Sequence, residues 1–311
     1  MREKLGYLFG LLYLVGALFV LTPNLGHAAE IKEPETCAKC HEDTVANYEK
    51  SHHKEAWANK PEFAKKACTS CHGDAEKHVE SEGGTPITNV FRGKDLDATK
   101  LNASCLKCHS KSEKLAFWNA GKHGKNGVTC ASCHSPHSAD SKKPLKPSVD
   151  KCFTCHKDVQ HDVQKLSHHP IIEGKVSCAD CHNPHGTLNH GMLQTETTNQ
   201  LCYRCHTDKR GPMLWEHPVV DENCLSCHSL HGSRNAKLLI EKVPNLCMTC
   251  HDFSRHPGTP YDAKGGFGAT AANLKPHMIG RGCVNCHAKI HGSFGPANPA
   301  NGYSSSKFFV R

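Results

Sequence analysis

The chain has 311 residues, a formal net charge of +8 and only 6% aromatic residues, with a mean hydropathy of −0.55. A chain this long and this lean in large apolar side chains does not build an ordinary side-chain core. Its 20 cysteines and 26 histidines point instead to an interior made from bound groups.

The first segment reads as a targeting sequence. Arg2 and Lys4 form a positive start, Leu5 to Leu21 is uncharged, and Gly26-His27-Ala28-Ala29 supplies small residues for cleavage. A stretch of this length is also near the lower limit for a spanning helix, but Pro23 and the small residues favour cleavage. Residues 1–28 are therefore expected to be a signal peptide, and the rest to be exported. Cysteine-rich chains belong outside the cytoplasm, and a bacterial periplasm suits this one.

Ten C-x-x-C-H boxes then consume every cysteine. They are Cys37, Cys40 and His41; Cys68, Cys71 and His72; Cys105, Cys108 and His109; Cys130, Cys133 and His134; Cys152, Cys155 and His156. Five more follow: Cys178, Cys181 and His182; Cys202, Cys205 and His206; Cys224, Cys227 and His228; Cys247, Cys250 and His251; Cys283, Cys286 and His287. C-x-x-C-H is the attachment signature of c-type haem: two thiols bond the porphyrin and the imidazole is one axial ligand of the iron. Zinc sites also use C-x-x-C, but zinc does not require a histidine after every second cysteine. Structural disulfides do not explain that histidine either. Ten covalent haem c groups are expected, together forming the core, with the polypeptide as a thin wrapping that does not fold without them.

The boxes repeat as a single box ending at His41, four two-box units and a single box ending at His287. Between them lie polar segments rich in Gly and Pro, which read as loops. The longest are Val79 to Ser104 and Asp252 to Gly282. Short helices are expected over Thr44 to Asn59, Lys157 to Leu166 and Arg234 to Glu241. In the second, Val159, Val163 and Leu166 share one apolar face. Strand signals are nearly absent. The expected fold is a multihaem cytochrome c of irregular coil and short helices with almost no β-structure.

An iron with two protein ligands transfers electrons, whereas one with an open face can convert a substrate. A histidine before and after one box recurs in five units: His53 and His78, His123 and His137, His169 and His185, His217 and His231, His277 and His291. Ten distal candidates thus meet ten proximal ones, which predicts bis-His ligation throughout and leaves open which histidine serves which iron. The doublets remain ambiguous, with His53 preferred to His52 and His169 to His168. His161 lies opposite the apolar face of its helix and reads as solvated. His190 and His256 read as spares, His256 with more reservation because His256-Pro257 resembles the other His-Pro pairs. Met278 is the one methionine placed to compete as a ligand, and histidine is favoured over it.

The net charge is not a nucleic-acid signal. Removing residues 1–28 takes away two bases and one acid, leaving +7. Ten bis-imidazole ferric haems, each worth about −1 through its propionates, bring the oxidised protein to about −3.

The segments CTSCHGDAEKH, SHHPIIEGKVSCADCHNPHG and HPVVDENCLSCHSLHG, with the closing RGCVNCHAKIHGS, resemble the periplasmic decahaem cytochromes of the MtrA/DmsE type. The resemblance runs from about Glu35 to Ser293. It departs at GDAEKH, where a glycine-richer turn is frequent in relatives, and at Lys54, where Gly is frequent. It implies an elongated haem wire of two pentahaem-like halves, here residues 29–160 and 161–291, followed by a flexible tail at 292–311. It also implies an outer-membrane β-barrel porin of the MtrB type as partner, with periplasmic and extracellular multihaem cytochromes at the ends of the wire. The expected role is electron transfer between periplasm and cell exterior, with no catalytic residues. A soluble periplasmic shuttle, or a donor to a terminal reductase of the dimethyl sulfoxide reductase type, is the alternative. A multihaem oxidoreductase would need an open iron, which the ligand count disfavours.

Overall fold

The computed structural model describes residues 31–93, 95–137, 148–251, 261–262, 266–267, 283–285 and 287–294. The targeting segment, His256, His277, Met278, Cys286 and all but the first three residues of the tail lie outside them.

Among the described residues the secondary structure is a series of short helices and 3-10 turns, with one two-residue antiparallel ladder pairing Tyr261 with Phe267 and Asp262 with Gly266. The longest helix is Ala98–His109. It begins where Asp97 accepts a hydrogen bond from the Lys100 amide at 3.0 Å, satisfying one of the N–H groups a helix start leaves unpaired. The C-terminal part of the loop expected over Val79 to Ser104 is therefore helical.

The helix expected over Thr44 to Asn59 is two helices, Glu42–Tyr48 and His52–Trp57. Ser51 breaks it by taking an extended conformation and capping the second through the Lys54 amide, a competition that short hydroxyl side chains readily win. The helix at Lys157–Asp162 forms as expected but ends early. Val163 is fully buried while Leu166 is 86% exposed, so the predicted apolar face stops one turn short. The helix expected over Arg234 to Glu241 is only the 3-10 turn Ala236–Leu238, with Lys237 at φ 59°.

Nine apolar side chains are buried among the described residues, and of the large side chains only that of Val163 is completely enclosed. It packs with Phe153 and Ile171, ringed by Val149, Val159 and Val176. So small a cluster supplies far less apolar burial than a domain of this size needs.

The chain divides into two compact units. One comprises residues up to Asn89 together with His137–Asp140, and the other comprises Val90–Pro136 and the residues from Ser141 onward. Among the described residues no helix is long and apolar enough to cross a membrane.

Candidate haem sites

Each box is built as one helical turn. The amide of the closing histidine donates to the carbonyl of the first cysteine, from 2.9 Å for His41 on Cys37 to 3.0 Å for His251 on Cys247. The box ending at His109 closes the helix Ala98–His109. A turn of this kind puts residues three and four apart on one side, so both thiols and the imidazole face one bound group. None of the described cysteines is in a disulfide, and no cluster of three or more His, Cys, Asp or Glu side chains arranged to hold a metal ion occurs among the described residues.

The imidazoles pair across the chain. Within the first unit His41 faces His78, centroids 6.2 Å apart and rings 11° from parallel, and His72 faces His137 at 5.9 Å. Within the second, His134 faces His185 at 5.9 Å, His123 faces His156 at 6.0 Å and His169 faces His206 at 6.3 Å. His182 faces His231 at 6.2 Å, His217 faces His251 at 6.0 Å and His228 faces His291 at 6.2 Å. An imidazole nitrogen binds a first-row metal at about 2.0–2.1 Å, and the ring centroid lies about 1.1 Å behind it. Two imidazoles on opposite faces of one iron are thus about 6.2–6.4 Å apart. All eight pairs sit close to that separation, and each joins one box histidine to one of the sequence-predicted distal candidates. Burial holds His134, His185, His231 and His291 below the usual imidazole range, favouring the neutral ring that binds iron.

The pairing follows a rule. With the boxes counted in chain order, the histidine after the fourth, sixth, eighth and tenth faces the box histidine two boxes earlier. The histidine before the fourth, sixth and eighth faces the box histidine one box later. Ring orientation follows the same periodicity. His123, His169 and His217 each donate from Nδ1 to a carbonyl: Pro184 at 2.9 Å, Leu230 at 2.8 Å and Ile290 at 3.1 Å. Those carbonyls belong to the residues just before His185, His231 and His291. His182 and His228 donate to Gly191 and Lys237, each nine residues on, at 2.8 and 2.9 Å. His72 donates to Asn89 at 3.2 Å and His78 to Thr85 at 2.8 Å. Such bonds select the Nε2-binding tautomer and fix the ring plane.

The two histidines of the doublet at 168–169 have different surroundings. His168 is held by the Lys165 carbonyl and by Glu173 at 3.0 Å, which raises its pKa, while His169 faces His206. His53 lies 5.6 Å from the Trp57 ring. His161 is exposed.

Consecutive boxes touch through their thiols. In the first unit the side chains of Cys37 and Cys68 lie within hydrogen-bond reach of each other. In the second, Cys105 and Cys152 bear the same relation to Cys130 and Cys178, and Cys202 and Cys247 make thiol contacts with Cys224 and Cys283. The alternate steps run through the second cysteines, which lie within electrostatic reach: Cys133 and Cys155, Cys181 and Cys205, Cys227 and Cys250. Within the second unit the eight boxes thus form an unbroken series.

Two features were not evident in the sequence. Glycine follows four of the distal histidines, His123, His185, His231 and His291, because another backbone passes against it. A Cβ at Gly232 would meet the Asp162 carbonyl group, its carbon 2.7 Å away, and Gly186 adopts φ +108° against Phe117 and Gly121. The other is a set of buried side-chain clamps. Asn102 accepts from the Cys130 amide at 2.8 Å and donates to the Val128 carbonyl at 3.0 Å. Asn199 accepts from the Cys224 amide at 2.8 Å and donates to the carbonyls of Val220 and Asp221. Glu33 accepts from the amides of Cys68 and Thr69 at 2.6 and 2.9 Å.

The chain matches two families of known proteins. The doubled CXXCH motif matches residues 168–211 and 217–256, and the cytochrome c-type protein NrfB-like family matches residues 68–147. The multiheme cytochrome MtrA of Shewanella baltica (strain OS185) is 35% identical over 271 residues, covering 86% of this chain and 80% of that protein. Boxes built to hold haem c, imidazoles spaced for an iron between them, and this likeness together place the chain in the MtrA family of multihaem c-type cytochromes, which are electron carriers.

Proposed function

We propose that the protein is a decahaem conduit in which every iron carries two histidines. It would work in the periplasm against the outer membrane, passing electrons through a porin of the MtrB type to or from multihaem cytochromes at either end. The observation that carries the reading is the succession of neighbouring cysteines through the eight boxes of the second unit, since electrons hop only between cofactors in close succession. The eight imidazole pairs support bis-His ligation. With both axial positions filled, the irons exchange electrons rather than bind substrate. The likeness to a multiheme cytochrome MtrA over most of both chains supports the porin partner.

The test is gentle detergent extraction of native outer membranes, following the haem band through size exclusion. The conduit requires that band to run with a β-barrel polypeptide. A haem protein that leaves with the periplasmic fraction alone refutes it in favour of a shuttle.

A further inference from the structure

We infer that Asn102 and Asn199, with Glu33 in the first unit, are distance-setting residues that fix the separation of two successive haems. Each stands three or four residues ahead of an odd-numbered box: Asn102 before Cys105, Asn199 before Cys202 and Glu33 before Cys37. Each reaches over to the next box and accepts a hydrogen bond from the amide of its first cysteine. In all three cases the first cysteines of the two boxes touch. Those cysteines carry the covalent bonds to the porphyrins, so holding their backbones together holds the two haem edges together.

The arrangement is too regular for incidental packing. Asn102 and Asn199 are 6% and 7% exposed. Both use the amide oxygen on the cysteine N–H and the amide nitrogen on carbonyls two to four residues ahead of that cysteine. The fifth and sixth boxes achieve the same contact differently. Val149, the residue equivalent to the two asparagines, packs with Val176 into the Phe153, Val163 and Ile171 cluster, and Ser177 and Asp180 cap the sixth box locally. Of the four steps up to the eighth box, three carry a polar clamp and the one without it has the apolar cluster.

Each transfer moves one electron. With haem bound at both boxes, the electron lost by the reduced neighbour would be gained by the oxidised one, with no bond made or broken, and the cysteines of the two boxes would set how far apart they stand. The rate depends on the gap between them, and the charge on each haem shifts the potential of the other across the same gap. The inference rests on the electron-transfer reading but not on the porin, because its readout is internal to the protein.

The experiment compares the wild-type holoprotein with Asn199→Leu, which removes every clamp bond, and Asn199→Asp, which keeps an acceptor for the Cys224 amide. Haem content, low-spin EPR and the ten-step reductive titration are measured for each. The expected result is ten low-spin haems in all three proteins, with two of the ten midpoints displaced in Asn199→Leu and displaced less in Asn199→Asp. Unchanged midpoints with full haem content overturn the inference, as does an equal displacement in the two variants or a shift spread over all ten. If Asn199→Leu does not mature, the Asn102→Asp and Asn199→Asp pair carries the test, each required to move a different two midpoints.

Discussion

Replacing His231 by alanine isolates one pairing. The His231 ring faces His182 at 6.2 Å, which leaves the width of one iron between them. The histidine Cβ stands about 5.5 Å from such an iron, so an alanine methyl cannot ligate it and leaves room for a water or a diatomic molecule. The cysteines are untouched, so ten haems attach. One iron in ten is then expected to become high-spin, about a tenth of the ferric EPR intensity, and the reduced protein should bind one carbon monoxide per chain. The control is His190→Ala, which should leave all ten irons low-spin. The reasoning fails if His231→Ala shows no high-spin iron and binds no carbon monoxide, or if two irons are exposed.

The remaining expectations use the same structure. His169→Ala should open one iron, whereas His168→Gln, which removes only the contacts with Glu173 and Lys165, should open none; ferric EPR separates the two, and the reverse result would invert the choice within the doublet. Gly232→Ala forces a Cβ into the Asp162 carbonyl and should destabilise the fold by about 1–3 kcal/mol through overpacking, lowering the thermal midpoint with the His182 site the first to turn high-spin. A chain produced without haem attachment should be degraded rapidly and show little helical circular dichroism, because among the described residues Val163 alone of the large side chains is completely enclosed; a compact, protease-resistant apoprotein would contradict the view that haem supplies the core.

Sequence and structure part company at particular residues. The boxes were legible because covalent chemistry demands both thiols and the histidine at set spacing. The distal set was legible as a repeat, yet the partners were not, because His137 faces His72 and His291 faces His228 across more than sixty residues, a separation that no local pattern encodes. The helices failed where haem, absent from a hydrophobicity pattern, decides the packing: Leu166 is apolar and exposed, and Lys237 takes φ 59° so that its carbonyl can meet His228. Asn102 and Asn199 carried no signal at all. A lone asparagine before a cysteine reads as surface until its far partner is known.

The two kinds of step between boxes alternate, and their supports differ. The odd-to-even steps up to the eighth box join first cysteines and are held by Glu33, Asn102 or Asn199, or by the Val163 cluster. Within the second unit the even-to-odd steps bring second cysteines within electrostatic reach and are held through the distal candidates themselves: His123, His169 and His217 each bond the carbonyl adjoining the histidine that faces the preceding box. A disturbance at one iron of an even-to-odd pair therefore bears on its neighbour through a direct backbone contact, while an odd-to-even pair is set by side chains that touch neither iron. Changing a clamp alters the gap and leaves the ligands in place. Changing His231 must also loosen the Leu230 carbonyl that orients His169, so the His231→Ala variant should displace the midpoint of the His206 haem as well as expose the His182 iron.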